Sequence, residues 1–441
     1  MERPVRKLFL SILLTSLGLA AGCGGSSSST SKTTGTGTSP TDSNVMSITV
    51  DGGPTANLQG GSLYANAAFA SATICAPGST SNCVTVDHLL VDTGSYGLRV
   101  LESAVGSLGL PAVNASNGSP AYNCVSFVDG SYLWGPVEQA DVTLGGETAS
   151  KVPIQVISSS TTGIPTSCSN GSTSNQNTQA SLGANGVLGV GFEPTDCTFA
   201  GTNYCIPSPG STTPPPIYYT CSGSSCSAEF IAATNQVTNP VVMLPSDNNG
   251  VIVELPAVSG GGAATLTGSL IFGIGTESNN QLASSTTVFT VTCDDFTTIF
   301  QGQTYGITDP TTCSGPGSFI DSGSNGLFFP NAANIPVCPT STSVGDLSSF
   351  YCPSSTQNFT ATNQGAGGTS KTTSFSVGNA ESIFTSPATG SDAALSTLAG
   401  PNPSGVGFDW GLPFFYGVNV YNAIDGRTMP SGAPPGPWWA Y

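Results

Sequence analysis

The feature that most constrains this chain is an internal repeat built around two acidic residues. The segment LLVDTGSYGLRV at residues 89–100 returns as SFIDSGSNGLFF at residues 318–329. Each copy reads as a buried strand that runs into a tight turn and leaves it as a second apolar segment. A chain that contains two such copies is expected to fold into two halves of one plan.

A second pair of segments follows the two copies at similar distances. GVLGVGF at residues 186–192 and WGLPFFYG at residues 410–417 each set a glycine, Gly189 or Gly411, among apolar residues. The order of the motifs is therefore the same in both halves, which supports the interpretation as an internal duplication.

The acidic residues of the repeat, Asp92 and Asp321, are placed for chemistry if the two halves face each other. A carboxylate at a strand end can be held by backbone N–H groups of the Thr/Ser-Gly turn and by the Ser hydroxyl that follows. One such loop is common in β-proteins, but two that meet bring like charges together, so the pair would share a proton. One carboxylate could then act as a base on water while the other donates a proton.

The composition favours an all-β protein with very little helix. The 441 residues include 56 Gly and 32 Pro, and apolar β-type segments recur from Val45 onward, a pattern of short strands between turns. Only 7% of the residues are charged, so neutral polar groups must hydrate most of the surface, as in a secreted protein. The Pro- and Cys-rich stretch 193–226 is predicted to be a disulfide-pinned surface insertion without a core strand.

The N-terminal region predicts export. Residues 1–22 carry basic residues and then an apolar run that is shorter than the ~20 residues of a membrane-spanning helix. The sequence before Cys23 resembles a lipoprotein signal, so we expect lipid modification of Cys23 and anchoring to the outer membrane. Cleavage by an ordinary signal peptidase is the alternative. Residues 23–45 are expected to form a disordered tether, because they contain few apolar side chains.

The cysteine content fits an oxidising compartment. Of 13 cysteines, an acylated Cys23 leaves an even number that could close six disulfides. The connectivity stays open, although several pairs are close in sequence: Cys75/Cys83, Cys197/Cys205, Cys221/Cys226 and Cys338/Cys352. With one His and no Cys-x-x-Cys, no metal site is expected. The net charge of −17 opposes nucleic-acid binding.

Several segments together resemble the pepsin-like aspartic peptidases. VDTGS and IDSGS match the two active-site loops of that family, and NGVLGVGF at 185–192 resembles its Gly-Ile-Leu-Gly-Leu segment. GSLIFGIGTESNNQL at 268–282 resembles the stretch that opens the C-terminal lobe, and residues 411–427 resemble the closing strand pair. The closing pair departs from the family pattern, with Leu-Pro where Gly-Asp is usual.

This resemblance covers roughly residues 46–430 and implies an all-β, bilobal fold. Two pseudo-symmetric, β-barrel-like lobes would flank a cleft. The N-terminal lobe would comprise residues 46–265 and the C-terminal lobe residues 266–441.

The resemblance also implies roles for the residues of the two loops. Asp92 and Asp321 would be the catalytic pair. Thr93 and Ser322 would lock the two loops to one another beneath it.

The remaining loop residues would support the carboxylates. Ser95 and Ser324 would hydrogen-bond their outer oxygens. Gly94 and Gly323 would let the backbone lie flat against the pair.

The segment FVDGS at 127–131 aligns with the family's β-hairpin flap. Phe127 stands where the family carries Tyr, so the ring could close over a substrate without a hydroxyl. Asp129 and Gly130 would form the turn, and Tyr132 is the nearest hydroxyl that could substitute.

The leading hypothesis is a lipid-anchored, monomeric endopeptidase that needs no metal or cofactor. It would bind an extended peptide or protein in the cleft and hydrolyse it through the Asp dyad. The alternative is a module that kept the fold, lost turnover and binds a protein or glycan at the cell envelope.

Overall fold

The computed structural model describes nine stretches of the chain: residues 42–54, 64–106, 108–127, 130–208, 213–259, 261–386, 388–402, 406–430 and 432–441. The predicted signal peptide, the acylation site Cys23 and the tether up to residue 41 lie outside these stretches. Within them, no helix has the length and apolar character needed to cross a membrane.

Strands dominate both halves of the chain, which confirms the all-β prediction. The strands up to residue 265 are β1 (Val45–Val50), β2 (Phe69–Cys75), β3 (Cys83–Asp92), β4 (Tyr96–Leu101), β5 (Ala121–Ser126), β6 (Tyr132–Leu144), β7 (Glu147–Ile157), β8 (Gly186–Val190), β9 (Thr198–Phe199), β10 (Thr202–Asn203), β11 (Tyr218–Ser222), β12 (Ser225–Ala228), β13 (Gly250–Glu254) and β14 (Gly262–Ala263).

The remaining strands are β15 (Leu266–Phe272), β16 (Val288–Thr290), β17 (Thr297–Phe300), β18 (Gln303–Tyr305), β19 (Phe319–Ile320), β20 (Leu327–Phe329), β21 (Gln357–Gln364), β22 (Ser370–Val377), β23 (Ala394–Leu395), β24 (Ala399–Pro401), β25 (Asp409–Trp410), β26 (Val420–Ala423) and β27 (Trp438–Ala440). The helices are short: α1 (Glu102–Val105), α2 (Thr166–Ser169), α3 (Gln179–Leu182) and α4 (Ala380–Thr385), with 3₁₀ turns at Ala233–Asn235, Pro240–Met243 and Leu412–Phe415.

One large sheet runs through both halves of the chain. Its strand order is β12-β11-β5-β6-β7-β4-β8-β3-β2-β1-β15-β13-β26-β27-β16. The junction is β1, which pairs antiparallel with β15 from Val45↔Ile271 to Val50↔Leu266. Strand β13, from the predicted N-terminal lobe, pairs with β15 and β26, and the lobe boundary at residue 265 stays a prediction.

The two copies of the repeat adopt the same strand arrangement. In the first half, β8 lies between β3, which runs parallel to it, and β4, which runs antiparallel. In the second half, β25 lies in the same way between β19 and β20. The predicted two-halved plan is therefore present in the backbone, and each half presents one Asp loop at the end of its entering strand.

Apolar side chains from both halves form the main core. Val91, Leu188, Ile320 and Trp410, which flank the two Asp loops, are each 0–1% exposed and belong to one continuous cluster. Full burial of a side chain of this size stabilises the fold by roughly 1.5–3 kcal/mol. Both Asp loops therefore lie at the ends of buried strands.

Six disulfides join the twelve cysteines of the described region, which confirms the cysteine prediction. All four pairs close in sequence are present. The other two are Cys124–Cys168 and Cys293–Cys313. This disulfide content is consistent with an exported protein.

The prediction that the stretch 193–226 lacks a core strand is wrong. Strand β11 pairs with β5 in the large sheet, and it buries the side chains of Tyr218 and Tyr219, which are 0% and 1% exposed. The many Pro and Cys residues around β11 do not indicate a strand, and β11 forms through its pairing with β5.

A buried ion pair fixes this stretch to the sheet. The Arg99 guanidinium on β4 lies 3.0 Å from the Asp196 carboxylate, and the two side chains are 2% and 6% exposed. The Tyr218 hydroxyl and the Asn123 amide also donate hydrogen bonds to Asp196. Pairing of this kind is what makes a buried charge tolerable.

Candidate active site

The structure brings the two repeat carboxyl groups into direct contact. Asp92 and Asp321 are 0% and 1% exposed, and their side chains interact with each other. A Cβ atom on Gly94 would lie 2.6 Å from the Asp321 carboxyl carbon, and one on Gly323 would lie 2.7 Å from Asp92 Oδ1. Each loop therefore lies flat against the acid of the other loop, and only glycine leaves room for this.

A reciprocal set of hydrogen bonds locks the two loops together. The Thr93 N–H donates to Ser322 Oγ over 3.1 Å, and the Ser322 N–H donates to Thr93 Oγ1 over 2.9 Å. The hydroxyls then donate across the pseudo-symmetry axis, Thr93 to the Ile320 carbonyl and Ser322 to the Val91 carbonyl. These hydrogen bonds connect Thr93 in the first half to Ser322 in the second.

The turn glycines hold one oxygen of each carboxyl group. The Gly94 N–H donates to Asp92 Oδ1 over 2.9 Å, and the Gly323 N–H donates to Asp321 Oδ1 over 2.7 Å. These bonds orient both groups before any substrate arrives.

The two loop serines differ in their contacts. The Ser324 hydroxyl lies 2.9 Å from Asp321 Oδ2. The Ser95 hydroxyl lowers the pKa of Asp92 by its proximity but forms no well-aligned hydrogen bond. The two carboxyl groups are thus in different environments despite the matched loops.

Burial raises the pKa of both carboxyl groups above the ordinary value for Asp. For Asp321 the negative charges of Asp92 and Asp409 raise the pKa further. For Asp92 the contact with Asp321 acts in the opposite direction and lowers the pKa. Both shifts favour protonation, so the two groups are expected to share one proton as a pair.

The sequence analysis missed a third acidic residue at this site, Asp409. It lies on β25 and is 1% exposed, and its Oδ2 atom is 2.7 Å from the Ser324 hydroxyl. Comparison of the aligned segments VLG at 187–189 and DWG at 409–411 could have revealed it, because a charged residue replaces an apolar one in an otherwise buried strand.

The aromatic residues predicted for the flap are packed inside the fold. Phe127 is 1% exposed and belongs to an apolar cluster with Leu90 and Leu133. Tyr132 is 6% exposed and belongs to another cluster with Trp134. Neither ring is presented to solvent, and their role in substrate binding stays a prediction.

The turn of this hairpin is only partly described. The Gly130 N–H donates to the Phe127 carbonyl over 3.0 Å, which closes a tight turn. Asp129 lies outside the described residues.

A buried amide ties the two halves together next to the second loop. The Asn66 side chain donates to the carbonyls of Asn325 and Leu395 over 2.8 and 2.9 Å. It accepts from the Leu395 N–H over 2.6 Å and from the Tyr416 hydroxyl over 2.7 Å. Since Asn325 follows Ser324 directly, this contact anchors the first half beside the Asp321 loop.

Both side chains of the Asp pair are buried. Two surface cavities of about 170 and 470 Å³ lie elsewhere, one lined by Phe296 and Pro310 and the other by Phe359 and Phe375. Within the described stretches, no group of three or more His, Cys, Asp or Glu side chains is arranged to hold a metal ion.

The chain is nearly all-β, and its two repeated halves meet at two Asp-Thr/Ser-Gly loops. The chain itself belongs to the family described as "Protein of unknown function (DUF3443)", which matches residues 40–441.

Comparisons with individual proteins add little to this. No curated protein matches the chain. Among solved structures, it is similar to the crystal structure of aspartic proteinase from Irpex lacteus, with a TM-score of 0.47 and 15% identity over 89% of this chain and 99% of that chain.

Proposed function

We propose that this protein is an aspartic-type endopeptidase. The observation that carries the proposal is the contact between Asp92 and Asp321, with each turn glycine packed against the opposite carboxyl group. Two buried like charges in contact cannot both ionise, so one group is a base and the other an acid at the same pH.

We infer the roles of the two groups from their environments. Asp92, as the ionised member, would take a proton from a water bound at the pair. Asp321, as the protonated member, would donate its proton to the carbonyl oxygen of the scissile peptide bond. The resulting tetrahedral diol would collapse as Asp92 passes the proton it gained to the leaving amine, while the now ionised Asp321 takes a proton back from a diol hydroxyl.

We propose an extended peptide or protein as the substrate. An extended peptide can be held by backbone hydrogen bonds at strand edges, and apolar neighbours can select its side chains. We further propose that the protein acts as a monomer at the cell envelope, anchored to the outer membrane through lipid on Cys23, and requires neither metal nor cofactor.

Substitution of either acid tests the proposal. The purified protein should cleave an unfolded protein at acid pH and be inhibited by a statin-type peptide, whose hydroxyl imitates the tetrahedral diol. Asp92→Asn and Asp321→Asn should each lower kcat/KM by about 10²–10⁴-fold, the range of general acid–base catalysis.

A matched control removes a carboxylate elsewhere. Asp346 is exposed on the surface, so Asp346→Asn should leave kcat/KM unchanged. Cleavage that survives both Asn substitutions at the pair would rule out the dyad as the catalyst.

The burial of both carboxyl groups favours one alternative, a binding module without turnover. Such a protein would bind a protein or glycan at the envelope through another surface. It should show no cleavage at any pH, and its ligand should still bind to the Asp92→Asn variant.

A further inference from the structure

The inference concerns Asp409, and it deepens the proposed function on which it rests. Asp409 lies on β25, between the strand that enters the Asp321 loop and the strand that leaves it, and it is paired with Phe319 on β19 and Phe328 on β20. Its carboxyl group is buried. The fold thus places a third carboxyl group directly beside the catalytic pair, on the side of Asp321.

The Ser324 hydroxyl connects this third carboxyl group to the pair. Its oxygen lies 2.7 Å from Asp409 Oδ2 and 2.9 Å from Asp321 Oδ2. A hydroxyl carries a single hydrogen and can donate it to only one of these oxygens at a time. The other contact is a hydrogen bond only if that carboxyl group is protonated and donates to the lone pair of Ser324.

The two possible arrangements have opposite consequences. If Asp409 is ionised, it accepts the Ser324 hydrogen, and Asp321 must carry a proton and donate it to Ser324. If Asp409 is protonated, Ser324 instead donates to an ionised Asp321. The shorter of the two contacts is to Asp409, as expected when the accepting oxygen is charged.

The charged groups that face Asp409 agree with the first arrangement. The flanking strands β19 and β20 consist of Phe, Ile and Leu, so they contribute no charge. The titratable group linked to Asp409 through the Ser324 hydroxyl is Asp321, which is itself in contact with Asp92. The charge of Asp409 raises the pKa of Asp321, which favours a proton on Asp321.

The internal repeat shows that this arrangement exists on one side only. In the first half, the register Val91↔Leu188 corresponds to Ile320↔Trp410 in the second. The residue that matches Asp409 is therefore Val187, which is buried and apolar. Both halves contain an Asp of the pair, but the neighbouring strand carries Asp409 in the second half and Val187 in the first.

We propose that Asp409 is a positioning residue that acts through Ser324 to keep the shared proton on Asp321 and thereby leaves Asp92 as the base. The residue does not touch the substrate. It makes an otherwise symmetric pair of acids unequal.

The test is the pH profile of peptide cleavage by Asp409→Asn, with Asp409→Val as the variant that copies the first half. Loss of the charge should release the proton from the pair at lower pH. The alkaline limb of kcat/KM should move to lower pH, so that activity at the pH where the wild type is half-maximal falls severalfold. KM in the acid plateau should stay unchanged.

Two further variants separate this role from a structural one. Ser324→Ala removes only the bridging hydroxyl and should move the same limb in the same direction, even if the Asp409 variants fold poorly. Asp346→Asn should not move it. A uniform loss of rate at all pH values, with the limb in place, would overturn the proposal while the peptidase function stands.

A second readout does not depend on activity. The free energy of unfolding should be measured against pH for the wild type, Asp409→Asn, Asp321→Asn and the double variant. Asp321→Asn should remove one component of the pH dependence of the free energy of unfolding. The proposal requires that Asp409→Asn shifts this same component to lower pH. Absence of cleavage by the wild type would reject the peptidase function. Separately, additive effects of Asp321→Asn and Asp409→Asn on the free energy of unfolding at every pH would reject the Asp409 proposal.

Discussion

At the scale of single residues, the site depends on how closely the backbone of each Asp loop approaches the carboxyl group of the other loop. Gly94 and Gly323 are close to the acid of the opposite loop, while Thr93 and Ser322 hold the loops in register. The carboxyl groups are therefore positioned by parts of the chain that are more than two hundred residues apart in sequence. Small steric changes at these points should affect catalysis more than stability.

Gly94→Ala makes this testable. The added methyl group would lie 2.6–2.8 Å from the atoms of the Asp321 carboxyl group, so the pair must separate. A displacement on the order of 1 Å is expected to lower kcat/KM by about 10²-fold, and steady-state kinetics on a peptide substrate would measure it.

Gly367→Ala is the control, because its methyl group would meet only Thr290 Oγ1 at 3.4 Å. It should retain wild-type kinetics. Full activity in Gly94→Ala would contradict the close contact between the loops.

The residue scale also shows what the sequence could predict and what it could not. Asp92, Asp321 and their loop neighbours were predictable because a repeated local motif encodes them. Asn66 was not, because it acts on a loop that is distant in sequence and lies in no motif. Asp409 stands out as a charged residue when the two repeats are compared, but its contact with Ser324 was not predictable. Their roles follow from strand pairing, which a single sequence does not reveal.

At the scale of elements, β11 shows how a segment without a strong local pattern joins a sheet. Its flanks are rich in Pro and Cys, yet β5 pairs with it, and the Asp196 carboxylate binds Arg99 beneath it. Local propensity was overridden by tertiary pairing and by a buried charge that has to be matched.

Asp196→Asn should show the importance of this ion pair. The substitution leaves the Arg99 guanidinium buried without its counter-charge, and loss of one partner of a buried pair typically costs about 3–5 kcal/mol. Urea unfolding would measure the free energy of unfolding. The exposed control Asp346→Asn should change it by less than about 0.5 kcal/mol, and an equally small effect in Asp196→Asn would show that the pair is dispensable.

At the scale of the whole molecule, buried carboxyl groups make the fold sensitive to pH. Glu193 is 0% exposed. Burial, together with the charges of Asp294 and Asp425, raises its pKa to about 8. With 25 acidic residues against 8 Lys and Arg, few basic side chains are present to neutralise such groups.

The free energy of unfolding should therefore fall as the pH rises. Glu193 is protonated more strongly in the folded state than in the unfolded state, where its pKa is near 4.5. Its stabilising effect is complete below about pH 4.5 and is lost progressively as the pH rises to about 8, by proton linkage. Thermal or urea unfolding between these pH values would measure the slope.

Glu193→Gln should flatten this dependence, because the amide has no proton to lose. The same change at Glu381, which is partly exposed on α4, should leave the slope in place. A wild-type stability that is constant from pH 4.5 to 8 would contradict the burial of an uncompensated acid.

The sheet that crosses from β1 to β15 restricts how far the two halves can move against each other. Six consecutive residue pairs join the two halves at this seam, so a wide hinge movement of one half against the other would break a continuous hydrogen-bond ladder. The ladder therefore fixes the spacing of the two halves and, with it, the spacing of the two Asp loops.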